Sequence, residues 1–184
     1  MILRAVEDAD LIRNARRGEV EAYNLLISRW EKRVYNYLLR IVGEREEALD
    51  LSQDVFLKAY QNLRKLEDPA RFGPWLFRIA HNEAFSAFRK RRPEAETPPE
   101  LAADEVAADQ AAFPIELSIA VATALSRLNQ EQREAVILKI YQGFKFEEIA
   151  EILACPVSTV KSRLYTALDV LKGQLAPLKS RGVT

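Results

Sequence analysis

Six side chains near the C-terminus, Ser158, Thr159, Lys161, Ser162, Arg163 and Thr166, combine small hydroxyls with cations at spacings that put them outward on one helix. Hydroxyls and cations can bond phosphate oxygens and base edges while adding little bulk, so the set suits recognition in a nucleic-acid groove. Bond-making chemistry has no comparable support. One histidine, His81, and one cysteine, Cys155, cannot assemble a metal-ligand set, and a single cysteine makes no internal disulfide. There is no glycine-rich phosphate loop and no nucleophile elbow. Asp50 and Asp54 could in principle share a cation, but two carboxylates one turn apart are commonplace on helix surfaces. The sequence therefore assigns no catalytic residue, no metal and no cofactor.

The elements that must position this set read as two short helices around a tight corner. Between Phe144 and Tyr165, Phe146, Ile149, Ala150 and Leu153 follow the i, i+3, i+4, i+7 spacing of a buried stripe. Pro156 suits the first turn of the following helix, where its missing N–H removes no intrahelical bond. Val157, Val160, Leu164, Leu168 and Leu171 then share the inner face, which leaves the six polar residues outside. A lone helix of this kind would read as a solvated face; two helices joined by this corner read as a helix-turn-helix. Lys161 and Arg163 are the candidate base and phosphate contacts.

Helical spacing dominates upstream as well. Leu11, Ile12 and Ala15 predict a short helix ending at Gly18. Ala22, Leu25, Leu26, Trp30, Val34, Tyr37, Leu38 and Ile41 predict a long one to Gly43, a residue suited to a left-handed C-terminal cap. A third is expected over about 46–63 with Leu51, Val55, Ala59 and Leu63 inward, then a break at Phe72-Gly73-Pro74, and a fourth over about 75–90. Residues 93 to 114 have three prolines before residue 100, no apolar period and only acidic charge, so they read as a connector. Beyond it a helix is expected over about 115–128. Asn129 and Gln132 then fit a capping box for a helix ending at Gly143. With the helix-turn-helix this makes a four-helix C-terminal unit, and residues after Pro177 are expected to fray. No window alternates strongly enough for a strand, and the fold class is all-α: two small helical domains joined by an acidic linker.

The formal net charge of zero hides a segregated distribution. Residues 71–92 carry Arg71, Arg78, Arg89, Lys90, Arg91 and Arg92 against one acid, Glu83, while 93–117 hold seven acids and no lysine or arginine. In the basic block, cations are interleaved with Phe72, Trp75, Phe77, Phe85 and Phe88. Rings that stack on unpaired bases and cations that hold the backbone are the means by which single-stranded DNA is bound, although Trp75, Phe77 and Phe85 read first as core. His81 and Asn82 follow the apolar start of this helix, and an asparagine can both donate and accept at a base edge. On the third helix, Asp50, Gln53, Asp54 and Leu57 share a stripe for which spacing alone leaves a solvated face and a docking surface equally open.

Three blocks now stand in order: Ala48 to Tyr60, Phe72 to Asn82 running into Arg89–Arg92, and the helix-turn-helix. Together they closely resemble the extracytoplasmic-function sigma factors of the sigma-70 family, over nearly the whole chain. The resemblance implies a bacterial transcription-initiation subunit that binds core RNA polymerase, directs it to promoter DNA and helps open the duplex. It implies a domain over 1–92 that docks on the polymerase clamp and reads and melts the −10 element, a linker over 93–117 passing through the polymerase, and a domain over 118–184 that reads the −35 element. By similarity, Asp50, Gln53, Asp54 and Leu57 lie on the clamp-binding helix, and Arg71, Trp75, Arg78, His81, Asn82, Ser86, Arg89, Lys90, Arg91 and Arg92 fall in the −10 and melting region, with Asn82 where a flipped base is captured. Ser158, Thr159, Lys161, Ser162, Arg163 and Thr166 fall in the −35 reader. The resemblance also implies an anti-sigma partner and no small-molecule substrate.

Two departures qualify the likeness. Many relatives carry an acid at the position of Ser86, so their −10 preference does not transfer. Relatives commonly place serine before the first helix of the pair, whereas this chain has Lys145, which offers no acceptor and puts positive charge at the positive end of the helix dipole. A frayed start is expected there, partly offset by Glu147 and Glu148, with Phe144 packing near Ile149. The N-terminal residues lack the zones of a signal peptide, and no apolar run approaches the ~18 residues that span a bilayer. A cytoplasmic protein is expected, nucleoid-associated within holoenzyme or held at a membrane by an anti-sigma partner. A helix-turn-helix regulator with an N-terminal sensory or dimerising domain is the alternative; the basic, aromatic second block argues against it.

Overall fold

The computed structural model describes residues 6–91 and 115–179, with side chains over 6–90 and 120–175. Every regular element among them is helical: α1 (Asp8–Arg16), α2 (Val20–Val42), α3 (Arg45–Asn62), α4 (Phe72–Arg91), α5 (Ile115–Ser126), α6 (Gln130–Val136), α7 (Phe146–Ile152) and α8 (Val157–Lys179). Short 3-10 turns at Leu63–Lys65 and Pro69–Arg71 lead from α3 into α4, and a π-helical turn at Ile137–Tyr141 extends α6. The acidic connector lies outside the described residues as far as position 114, and α5 starts within the last three positions assigned to it.

Local chemistry explains most boundaries. Gly43 closes α2 in the left-handed conformation, φ 75°, and donates its N–H to the Leu39 carbonyl. The Glu44 carboxylate then accepts the Glu46 and Glu47 amides and caps α3. Asn129 and Gln132 form the expected capping box at α6. The expected break at Phe72-Gly73-Pro74 is instead the first turn of α4, because Pro74 falls where its absent N–H costs nothing and its fixed φ is already helical. Gly73 is needed there for space: a Cβ would meet Cη2 of Trp30 at 2.7 Å. Trp30 is itself fixed by an Nε1–H bond to Asp8, 2.9 Å.

The N-terminal four helices pack around Ile12, Leu26, Tyr37, Leu38, Leu76 and Phe77, all fully buried. Arg16 fastens α1 to the turn after α3 by donating to the carbonyls of Leu63 and Leu66. Ile137, Leu138, Phe144, Ile149, Ile152 and Val160 belong to the same continuous core, so the helix-turn-helix closes directly onto α4. A smaller cluster of Leu125, Leu128, Val136, Leu164 and Ala167 joins α5, α6 and α8. Arg133, buried in this unit, donates to the carbonyls of Ser126 and Leu128 and places positive charge at the C-terminal end of α5. Burial holds its guanidinium below its ordinary pKa.

Three expectations need correction. Leu25 is exposed, because the stripe of α2 follows Ala22, Leu26, Val34 and Leu38 and leaves position 25 to solvent. On α8 the inner line after Leu164 continues through Ala167 and half-buried Leu171, and Leu168 faces out. Finally, α8 runs past Pro177 to Lys179, where fraying was expected.

Candidate nucleic-acid and docking surfaces

The helix-turn-helix is built as its residues require. Ala154 turns the corner with φ 50°, a left-handed conformation in a residue other than glycine, and the Cys155 N–H bonds the Ala150 carbonyl at 3.0 Å. At the start of α7, Glu148 reaches back to accept the Lys145 amide at 2.7 Å, which ties the turn expected to fray. Phe144 and Ile149 are both buried in the main core. Along α8, Ser158, Lys161, Ser162 and Thr166 are exposed and Thr159 is half-buried.

Arg163 is placed differently. Its guanidinium pairs with the Glu131 carboxylate at 2.7 Å and donates to the Cys155 sulfur at 3.8 Å. Burial nevertheless pushes the Cys155 thiol above its ordinary pKa, outweighing the cation beside it. Lys161 Nζ stands 5.4 Å from the centre of the Phe146 ring. Tyr165, between Arg163 and Thr166, is also exposed.

Helix α4 carries the second block. Arg78, Asn82, Arg89 and Lys90 are exposed, and Ser86 accepts from Arg89 at 3.3 Å. Trp75 is half-buried against Phe72, ring centres 5.9 Å apart, while Phe72 and Phe77 lie in the core. Lys65, Arg71, Trp75 and Arg78 line a cleft of about 260 Å³ that also contains Glu151 of α7. The carboxylate of Glu151 is paired with Arg71. Arg91 ends the helix with its side chain outside the described set, and Arg92 lies outside the described residues.

His81 turns away from Asn82. Its Nδ1 lies 2.7 Å from the Glu134 carboxylate, on the same oxygen that accepts the Tyr37 O–H. Burial, with the adjacent Glu134 charge, pushes the Tyr37 phenol well above its ordinary pKa. Nearby, Arg33 donates to the Gln142 side chain and carbonyl at 3.2 and 2.9 Å, while its guanidinium lies over Trp30. Arg40 stacks on Tyr141. These contacts join residues of α2 and α4 to residues of α6 and its π turn, a polar seam that no sequence pattern announced.

On α3, Asp50, Gln53, Asp54 and Leu57 are all exposed, and among the described residues none of the four side chains is hydrogen-bonded or ion-paired. Gln53 and Leu57 edge a groove of about 810 Å³ between α2 and α3, whose walls include Tyr23, Ile27, Tyr35, Phe56 and Tyr60. The Tyr23 O–H donates to the Phe56 carbonyl at 2.5 Å and fixes one wall. The apolar walls of this trough lie beside the exposed side chains of Gln53 and Leu57. Among the described residues no helix is long and apolar enough to cross a membrane.

The sigma-70 region 2 family matches residues 26–94, and sigma-70 region 4 matches residues 118–171. The sigma-H factor of Pseudomonas aeruginosa is 29% identical, covering 96% of this chain and 98% of its own. The ECF sigma-E factor of Haemophilus influenzae is 31% identical, with 93% and 96% covered. Among solved structures, the sigma factor RpoE of Bartonella quintana, in complex with the anti-sigma factor NepR, superposes with a TM-score of 0.69 at 26% identity. That superposition covers 84% of this chain and 96% of that one.

Proposed function

The chain belongs to the extracytoplasmic-function sigma factors, subunits that bring core RNA polymerase to promoter DNA, and from that premise we propose how its surfaces divide the work. Residues 1–92 dock on the polymerase and read the −10 element, residues 118–184 read the −35 element, and residues 93–117 connect them. The observation that carries this reading is the unpaired stripe Asp50, Gln53, Asp54 and Leu57 at the lip of an apolar groove. The carboxylates and amide offer acceptors to a basic partner, and Leu57 and the groove supply apolar area.

The chemistry is binding alone. Exposed Arg78, Arg89 and Lys90 neutralise phosphates, half-buried Trp75 offers a ring edge, and Asn82 meets an unpaired base. His81 and Arg71, which by similarity belong to the same set, become available to DNA only when their carboxylate partners withdraw. On α8, Lys161, Ser158, Ser162 and Thr166 face the groove of the duplex, and Arg163 joins them if it leaves Glu131. An anti-sigma partner that covers the α2–α3 groove would block polymerase docking; the complex seen for the Bartonella relative supports such control.

Runoff transcription reconstituted with core polymerase and a promoter library tests the assignment. Start-site selection that depends on this chain is expected. Purified chain that confers none, while remaining folded, would exclude it.

A further inference from the structure

Helix α1 contributes no residue to the surfaces assigned above, yet it is tied down at both ends. Asp8 in its first turn accepts from Arg29 at 2.7 Å and from Trp30 at 2.9 Å, which anchors it to α2. Leu11, Ile12 and Ala15 bury its inner face. Its last residue, half-buried Arg16, reaches the chain that leaves α3: Nε donates to the Leu63 carbonyl at 3.1 Å, and a terminal nitrogen donates to the Leu66 carbonyl.

A helix C-terminus leaves carbonyls that attract a cation, and the last turn of α3 has no basic residue of its own. Arg16 supplies one from 47 and 50 residues away. The two carbonyls it bonds enclose Arg64 and Lys65, and from Lys65 the chain runs through Leu66, Glu67 and Asp68 along the cleft that Arg71, Trp75 and Arg78 also line. Leu63 and Leu66 are buried, whereas Lys65, Glu67 and Asp68 are exposed. The far end of this wall is held from within, since the Asp68 carboxylate accepts the Ala70 amide at 2.9 Å. At the near end the backbone bond from Leu66 N–H to the Leu63 carbonyl is long, 3.3 Å, and Arg16 reinforces it from outside.

We propose that Arg16 is a positioning residue for reading the −10 element: it fixes the wall Lys65–Asp68 relative to Trp75 and Arg78, and so sets how sharply the cleft discriminates between bases. The inference rests on the assignment of α4 as the −10 reader and extends it to a side chain that touches no DNA. Cations on α4 neutralise phosphates wherever the wall stands, so affinity for bulk DNA is independent of Arg16. A base edge, by contrast, is read only by groups within hydrogen-bonding distance of it. Arginine suits the task because its rigid fork spans two carbonyls at once, whereas a lysine ammonium on a flexible stem would hold them less firmly.

The test uses the full chain assembled with core polymerase. Runoff transcription is measured on promoters that differ at single −10 positions, for the parent, Arg16→Gln, Arg16→Lys and the control Arg13→Gln, an exposed residue of the same helix that pairs with Asp10. Arg16→Gln is expected to reduce the ratio of output between preferred and substituted −10 sequences by about fivefold to tenfold, the scale of one misread position. Arg16→Lys should fall between, and Arg13→Gln should keep the parent's ratio. Co-elution with core polymerase and holoenzyme affinity for mixed-sequence DNA should stay at the parent's values. A uniform loss on every promoter, with the ratio unchanged, would mean that Arg16 only stabilises the fold and would overturn the proposal. Should Arg16→Gln fail to fold, Arg16→Lys decides: a reduced ratio sustains the role and the parent's ratio overturns it. Absence of start-site selection by the parent itself would remove the −10 reading, and the role of Arg16 with it.

Discussion

Phe77 in the second turn of α4 and Phe144 ahead of α7 meet edge to face, ring centres 4.9 Å apart with planes at 70°. Both are buried, so the N-terminal helices and the helix-turn-helix share one core instead of touching through a wet interface. Truncating Phe144 to alanine should cost about 3–5 kcal/mol, and calorimetry should then show two transitions where the parent shows one. A variant that melts once, at the parent's temperature, would contradict a shared core.

Asp54→Arg places a cation among the exposed acceptors of α3. Being a surface change away from any partner, it should shift stability by no more than about 0.5 kcal/mol. Holoenzyme formation should nevertheless be abolished, as gel filtration with core polymerase would reveal. Normal co-elution of the variant would remove the stripe from the docking surface.

Asn82→Ala deletes an exposed amide from α4. Promoter opening, followed by permanganate reactivity of unpaired thymines, should fall far more than affinity for bulk duplex. Equal losses in the two assays would return Asn82 to an ordinary solvated residue.

Lys161→Ala removes one exposed cation from α8. Holoenzyme affinity for a promoter duplex should drop, and the dependence of log affinity on log salt should flatten by about one. An unaltered slope across a salt titration would mean that Lys161 touches no phosphate.

Gly73→Ala should destabilise the N-terminal half by about 1–3 kcal/mol, the usual penalty of overpacking, because the new methyl collides with the Trp30 indole. Trp30 cannot easily yield: its Nε1–H is tied to Asp8 and Arg33 lies over its ring. Urea denaturation at unchanged midpoint would show that the indole moves after all.

The helices were legible because each announces itself locally, through an apolar period and a terminal signal such as Gly43 or the Asn129–Gln132 pair. The reading faltered where a local pattern had a competitor: Leu25 and Leu168 fit a helical spacing, but a neighbouring line of residues, ending in small Ala167 on α8, packs closer. Proline misled at both ends of its range, breaking nothing at Pro74 and failing to stop α8 at Pro177. The surface residues of α3 and α8 were legible for the same reason as the helices, since they are what remains once the apolar face is assigned. The seam was not. Tyr37 and Glu134 are 97 residues apart and His81 and Glu134 are 53 apart, and an isolated acid on a helix carries no mark of what it will meet.

The π turn at Ile137–Tyr141 contains a bond from the Gln142 N–H to the Ile137 carbonyl, five residues back, where an α-helix would use four. One residue more than the regular pitch allows is thereby inserted, and in an ordinary helix each residue advances the azimuth by about 100°. The bulge thus sets the rotational phase at which Tyr141 and Gln142 arrive over Arg40 and Arg33. Shortening the chain there by a single residue would leave the downstream helices intact but swing them out of alignment, so a one-residue deletion would act on the joint between the halves as a misaligned gear acts on a shaft.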